Sequence, residues 1–514
     1  MNEPTPQEIE ESNAAAAPPA EAEAEAHAAP RGDAPEPAAS PLPELRIRPR
    51  QRVLSDEQLR RIHEASLELM VRTGIQVNHE GAREILHGHG CSVDGLRVRI
   101  PARVVEKALG TVADRVAFYD RSGEQTVDLM EDQTWYGPTL DAYDYLDPKD
   151  GSRRPFTVDD CRVTATLADV LANFSWTMTI GVTSDAPPAT ADRIVARQAL
   201  TCCEKPLLFC CDNLQAAKDI VEMASTIVGG EERLLERPLV ALFNCPISPL
   251  VYETPVVDRL IYAAEIGLPQ VCYSGPQAGA TSPATLAGTV VQGSVESLFG
   301  LVLSQLIRPG TPFVYGAFAT IMDMSTSVFS YGAPEMNVMA TAMAQMAHFY
   351  RIPFLGMSGC SDAKLPDAQA AVEATFSCLC SALSGANMVH DNGWLDHATL
   401  ISPEYMVLVN EIVEMVSGYM GGIGVDDGRL AVDVIDRIGP GGNFLMEDHT
   451  MKHFREIWYS KLFDRSTMNQ WRARGKPEFR ERLHQQTEKL MQHEPRPLPP
   501  EVEREIERMA AHWA

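Results

Sequence analysis

Between residues 134 and 392 the chain repeats one pattern, a short apolar run followed by a helical stretch, and this alternation constrains the fold more than any other feature. Apolar runs at 134–138, 175–181, 206–211, 238–244, 269–274, 312–316, 353–357 and 387–391 read as eight strands. Helical segments at 189–203, 214–228, 254–266, 284–307, 335–350 and 367–384 lie between them and are long enough for right-handed crossovers. The pattern predicts an α/β fold with a parallel sheet. Eight strands joined this way close most economically into a TIM (β/α)8 barrel of about 250 residues, with a doubly wound sheet bearing large additions as the alternative.

A barrel of this kind binds its ligands at the C-terminal ends of the strands, so chemistry is expected there. The runs end in Trp135 and Tyr136, Trp176, Phe209, Phe243 and Asn244, Tyr273, Tyr315, Met357, and His390 with Asp391 and Asn392. Aromatic residues recur at these ends although Phe, Trp and Tyr make up only 7% of the chain. Taken singly, each ring is a core filler as readily as a ligand contact. Taken together, they suit a pocket for a quaternary ammonium group, which has no hydrogen-bond donor and is held by cation–π attraction.

The last two units carry the densest polar signals. Phe354 to Glu373 runs from a strand through a Gly- and Asp-rich turn into a helix, and 385–394 (Gly-Ala-Asn-Met-Val-His-Asp-Asn-Gly-Trp) repeats the strand and turn. Asp362, Lys364 and Asp367 follow the seventh strand, where they read equally as turn formers and a helix cap. His390 and Asp391 close the eighth, a place that favours function. Cys245, Cys272 and Cys360 stand near strand ends, but buried inert cysteines are the commoner case. His449 and His453 share a helix face without the Glu of a zinc-protease motif, and no metal-ligand spacing is present.

The flanks are different in kind. Residues 1–45 are Ala, Pro and Glu, with nine acids against one Arg in the first forty, and read as a disordered tail. A small α+β cap is expected over 46–130, opening with a helix capped by Ser55 and ending near Gly74, followed by elements near 80–88 and 101–109 and β structure around 116–129. Residues 131–400 are the barrel, and 401–514 a helical extension with helices at 403–418, 449–473 and 477–492. A net charge of −26 argues against nucleic-acid binding. Eleven cysteines without paired C-x-x-C sets, no signal segment and no run of 18 apolar residues predict reduced thiols, a cytoplasmic protein and no membrane span.

Three motifs in fixed order make the chain familiar: Ser361-Asp-Ala-Lys-Leu-Pro-Asp-Ala-Gln-Ala-Ala, Gly385-Ala-Asn-Met-Val-His-Asp, and Asp448-His-Thr-Met-Lys-His-Phe-Arg455 with Asp464, Arg465 and Trp471. Over about 46–500 the sequence resembles the trimethylamine methyltransferase family. The resemblance implies a TIM barrel with its substrate pocket at the top, and transfer of a methyl group from an amine to the cobalt of a corrinoid (cobalamin), carried by a partner protein or supplied in trans. The archaeal trimethylamine enzymes of that family carry pyrrolysine in the barrel, and this sequence has none. Members without it resemble demethylases of quaternary amines, with glycine betaine the best-known substrate.

On this reading His390, Asp391 and Asp362 are the catalytic candidates. Trp135, Tyr136, Trp176, Phe243, Asn244, Tyr273, Tyr315 and Met357 are the substrate-binding candidates, no metal is held by the chain itself, and a homo-oligomer is expected. The alternatives are a TIM-barrel methyltransferase or lyase on another substrate, for instance one that activates a thiol through zinc on the strand-end cysteines, and a non-catalytic betaine-binding protein.

Overall fold

In a computed structural model, which describes residues 48–513 apart from Asp114, Met130 and Glu131, the eight expected strands form one parallel sheet. They are β1 (Trp135–Pro138), β2 (Thr177–Met178), β3 (Leu207–Phe209), β4 (Val240–Asn244), β5 (Gln270–Ser274), β6 (Phe313–Ala317), β7 (Phe354–Met357) and β8 (Met388–Asn392). Neighbours in sequence are neighbours in the sheet, and β8 pairs in parallel with β1. The ring closes through a single bridge between Tyr136 and Phe174, where the Ser175 N–H donates to the Tyr136 carbonyl at 2.7 Å. The fold is therefore a TIM barrel, closed by one thin seam between β1 and β2.

Helices α1 (Val158–Val170), α2 (Ala191–Cys202), α3 (Leu214–Val228), α4 (Thr254–Ile266), α5 (Leu286–Ile307), α6 (Pro334–Tyr350), α7 (Ala368–Ser384) and α8 (Pro403–Met420) follow the strands in turn. The starts of α3, α7 and α8 are set by side chains that satisfy the unpaired N–H groups of a first turn. Asn213 accepts from Ala216 N before α3, Asp367 from Gln369 N and Ala370 N before α7, and Ser402 from Tyr405 N before α8. Among the described residues α5 alone is long and apolar enough to cross a membrane, yet most of it is buried. It packs on β5 and β6 on one side and on the helices Asp56–Arg72 and Ala102–Leu109 on the other, which is why it is apolar all round.

The tail expected over 1–45 lies outside the described residues. Residues 45–514 form one compact unit. The segment read as a cap begins with the helix Asp56–Arg72, held by a Ser55/Gln58 capping box. It then shares a sheet with the barrel, because Val251–Tyr252 from the β4α4 connection pairs in parallel with Ile75–Val77. The hairpin Ala117–Tyr119/Gln125–Asp128 lies at the N-terminal end of the barrel, where Phe118 meets Leu207, Leu208, Ala241 and Met388.

Two small sheets unforeseen in the sequence rim the opposite end: Gln277–Ala278 with the hairpin Thr320–Asp323/Val328–Ser330, and Asp144–Leu146 with Arg153–Pro155, Leu400–Ile401 and Trp394–Leu395. In the C-terminal extension the helices expected over 449–473 break into short pieces at Asp448–His453, Phe454–Glu456 and Met468–Ala473. The buried carboxylate of Glu411 in α8 accepts from the Ser460 hydroxyl and from Lys461 N and Leu462 N, turning the chain where local periodicity runs on.

Candidate functional site

Parity along each strand decides which side chains enter the barrel, since successive residues point to opposite faces. Phe243 on β4, Tyr273 on β5 and His390 on β8 point inward and meet. Their ring centroids are 5.1 Å apart for Phe243–Tyr273, 4.7 Å for Tyr273–His390 and 5.8 Å for Phe243–His390. Space for Tyr273 is left by Gly316 in the neighbouring strand, where a Cβ atom would lie 2.5 Å from the Tyr273 ring. Met357 is paired in register with His390 and so shares this lumen face.

Directly after His390 the pairing of β8 with β1 slips, and Asp391 takes a left-handed backbone conformation (φ 72°). A bulge of this kind re-aims a side chain at a cost in strain. The Asp391 carboxylate is 2% exposed, and Tyr331 donates its hydroxyl to it at 3.5 Å. No Arg or Lys pairs with Asp391 among the described residues; its nearest side-chain neighbour of that kind is the His390 imidazole, Nδ1 to Oδ1 at 2.6 Å, at an angle outside hydrogen-bond geometry. Both imidazole nitrogens, the Tyr273 hydroxyl, one Asp391 oxygen and the Trp394 indole N–H thus have no protein hydrogen-bond partner. Such atoms are costly in a core and are expected where a ligand completes them. Burial, and then the charge of Asp391, push the Tyr273 and Tyr331 phenols well above their usual range, so both are neutral donors.

Over this floor lies a second group of rings that sequence reasoning missed. Phe318, Phe329 and Tyr331 are mutually 5.3 Å apart, and Tyr331 is 6.1 Å from Trp394. They sit on the β6α6 hairpin and just past β8. The alternation of Phe329 and Tyr331 just after the turn at Asp323–Ser327 was the available signal for a hairpin.

Asp362 anchors this hairpin. Its carboxylate accepts from Tyr331 N (2.7 Å), Gly332 N (2.9 Å) and the Ser330 hydroxyl, and lies 3.0 Å from His397 Nδ1. With its oxygens so occupied, it holds the rings in place and leaves no lone pair facing the lumen stack.

Several expected pocket residues are elsewhere, and the cause is strand parity or height in the barrel. Trp135 lies at the N-terminal end of β1 and donates its indole N–H to the Asp128 carbonyl at 3.1 Å, which corrects its placement at a strand end. Trp176 precedes β2 and fills the lower interior, pressed against Gly137, where a Cβ would come within 2.4 Å of the indole. Tyr136 points outward and donates to the Cys378 carbonyl of α7 at 3.3 Å. Tyr315 faces outward to Tyr350 of α6, and Asn244 faces outward to Arg259 of α4. Cys272 also faces outward, 2.8 Å from the Tyr252 hydroxyl, and among the described residues no three His, Cys, Asp or Glu side chains are grouped to hold a metal ion.

A lumen lined by stacked rings, one carboxylate without a Lys or Arg and several unfilled donors is suited to a small organic cation that carries a polar end. Comparison with known proteins places the chain in a family. The family model described as trimethylamine methyltransferase (MTTB) matches residues 22–512. The trimethylamine methyltransferase MttB of Desulfitobacterium hafniense (strain DSM 10664 / DCB-2) is 32% identical over 451 residues, 87% of this chain and 91% of the relative. The glycine betaine methyltransferase of Desulfitobacterium hafniense (strain Y51) is 32% identical over 468 residues, 90% and 97% of the two chains. Among solved structures, the Methanosarcina barkeri monomethylamine methyltransferase (MtmB) superposes with a TM-score of 0.47 at 9% identity, covering 85% of this chain and 87% of that one. By the extent of the family match and the near-complete overlap with these relatives, the chain belongs to the trimethylamine methyltransferase family.

Proposed function

We propose that this member of the family demethylates a quaternary amine, glycine betaine first, giving dimethylglycine, and passes the methyl group to the Co(I) of a corrinoid (cobalamin) on a partner protein. The observation that carries the reading is the inward stack of Phe243, Tyr273 and His390 beside Asp391. Aromatic faces compensate the desolvation of a permanent cation by about 0.5–2 kcal/mol per well-placed ring. Asp391 offers a negative charge not already neutralised by Lys or Arg. Tyr273, His390 and Trp394 have donors to spare for a carboxylate on the same substrate.

The chemistry asks little more of the chain. When the N–CH3 bond of a quaternary amine breaks, its electron pair returns to nitrogen and the amine leaves neutral, so no proton is required. A tertiary amine lacks that activation, and the absence of pyrrolysine from this sequence supports a quaternary substrate over trimethylamine. The corrinoid supplies the nucleophile. The protein's part is to orient the substrate, exclude water and hold the cation.

The test supplies Co(I) corrinoid and follows its methylation by absorbance with each amine in turn. Methylation from a quaternary amine is expected. Brisk methylation from trimethylamine with none from any betaine would overturn the reading, and binding without any methyl transfer would favour a betaine-binding protein.

We also propose a cytoplasmic homo-oligomer. All eleven cysteines are unpaired, as suits a reducing compartment. The arm after α8 exposes Ile423, Leu445 and Met446 at 81, 77 and 90%, more apolar surface than a monomer gains from leaving in water. Sedimentation as a monomer would refute the oligomer.

A further inference from the structure

Between Trp394–Leu395 and Leu400–Ile401 the chain reverses through Asp396, His397 and Ala398, at φ of 47°, 54° and 66°. Three successive non-glycine residues in the left-handed region are strained, because each Cβ crowds the carbonyl that follows it. Such strain persists only where surrounding contacts over-determine the conformation. Here the Asp396 N–H donates to the Ala363 carbonyl at 2.9 Å, and the Asp396 carboxylate pairs with Arg153 and lies 3.4 Å from Lys364 Nζ. The Thr399 N–H and hydroxyl both donate to the Asp396 carbonyl, at 3.2 and 2.7 Å. Arg153 is itself fixed by donating to Asp144 at 2.6 Å.

What the strained turn presents is His397. Its Nδ1 is 2.9 Å from the Phe329 carbonyl and 3.0 Å from Asp362 Oδ1. A peptide carbonyl can only accept, so Nδ1 carries the hydrogen and donates it to Phe329. The imidazole also stands perpendicular to the Phe329 ring, with centroids 6.1 Å apart. One side chain therefore joins segments from three strand ends: the β6α6 hairpin at Phe329, the turn after β7 at Asp362, and the hairpin after β8. Two residues beyond Phe329, Tyr331 donates to Asp391 at 3.5 Å and stands 6.1 Å from the ring of Trp394, whose buried indole N–H has no partner. The main chain carrying Tyr331 is thus held on one side by Asp362, through the Tyr331 and Gly332 N–H groups, and on the other by His397, through the Phe329 carbonyl.

We propose that His397 is a positioning residue, a latch that fixes the Phe329–Tyr331 segment over the lumen and so sets where Tyr331 meets Asp391 and the substrate cation. The proposal rests on the reading of the lumen as a quaternary ammonium site. His397 acts through Phe329 and Asp362 rather than on the substrate. Without its donor the Phe329 carbonyl loses a partner, and the hairpin spends part of its time open. Apparent affinity then falls in proportion to the closed fraction, while the methyl-transfer step, once the rings are in place, keeps its rate.

Two variants of the full-length protein separate a latch from a merely structural side chain. His397→Gly removes the donor while suiting the left-handed backbone, and His397→Asn keeps an N–H in place of Nδ1 and tolerates the same backbone. In His397→Gly, amide hydrogen exchange across 320–332 should quicken by roughly tenfold, as for the loss of one hydrogen bond. KM for glycine betaine, with Co(I) corrinoid as acceptor, should rise by roughly tenfold while kcat stays within about twofold. His397→Asn should return both exchange and KM to within about threefold of wild type. Unchanged exchange in the Gly variant, faster exchange with KM unmoved, a fall in kcat without a rise in KM, or no recovery in the Asn variant would overturn the proposal. A Gly variant that cannot fold would make the histidine structural and overturn it too. If the wild type transfers no methyl group from betaine, the quaternary-amine reading fails, and the exchange comparison still decides the latch.

Discussion

Replacing Tyr273 by Phe removes one oxygen from a ring stacked at 4.7 Å on His390 and 5.1 Å from Phe243, and leaves the stack itself intact. That oxygen is buried without a protein partner. An unsatisfied hydroxyl costs a folded protein about 1–3 kcal/mol, so the variant should be more stable than the parent by up to that amount. With an unfolding entropy of roughly 2 cal/mol/K per residue, a unit spanning 45–514 changes stability by roughly 1 kcal/mol per degree near its midpoint. Calorimetry should therefore show the midpoint rising by roughly 1–3 °C. Activity should move the other way: a hydrogen bond to a charged substrate group is worth about 1.5–3 kcal/mol, or roughly 10- to 150-fold in kcat/KM. Greater stability with lower activity is the signature of a group kept for its ligand. A lower midpoint with unchanged turnover would refute the reasoning, since the hydroxyl would then be a structural group served by bound water.

His390→Ala should lower kcat/KM by about a hundredfold or more while shifting the melting midpoint by only about 3 °C, because neither imidazole nitrogen bonds to the fold; comparable losses in both would make it structural. Asp362→Ala strands Tyr331 N and Gly332 N, so it should destabilise the β6α6 hairpin, raise proteolysis near 320–332 and raise KM, whereas an intact hairpin with reduced kcat alone would assign Asp362 a direct part in the reaction. Folded Asp141 keeps its proton up to about pH 7 and an unfolded Asp loses it near pH 4. The folded chain thus binds the extra proton over that window, its stability falls as pH rises through it, and Asp141→Asn should melt higher than wild type at pH 8 and equally at pH 4, as thermal scans across pH will show. Deleting residues 1–44 should leave both midpoint and activity nearly unchanged, since a segment so poor in apolar side chains cannot offset an ordering cost of roughly 1–2 kcal/mol per residue.

The sequence by itself determined the barrel. All eight strands fall where the apolar runs stand, and α3 and α4 begin and end at the expected residues, because strand and helix periodicity, caps and turn residues are local properties carried by near neighbours. It also put Phe243, Tyr273 and His390 among the strand-end candidates, since a residue near the end of a barrel strand is halfway to a site already. Only the tertiary structure decided which strand-end aromatics face inward. A one-residue change in parity sends Tyr315 and Asn244 to the helix layer while Tyr273 and Phe243 enter the lumen, and the apolar character of both faces of a buried strand hides that choice from the sequence. Height in the barrel is likewise set by how the strands stagger, which placed Trp135 and Trp176 near the floor. The bulge that turns Asp391, the hairpin that brings Tyr331 over it and the carboxylate of Asp362 that ties that hairpin down depend on contacts between segments far apart in the chain. No local pattern records such contacts, because their free energy exists only once the barrel has closed.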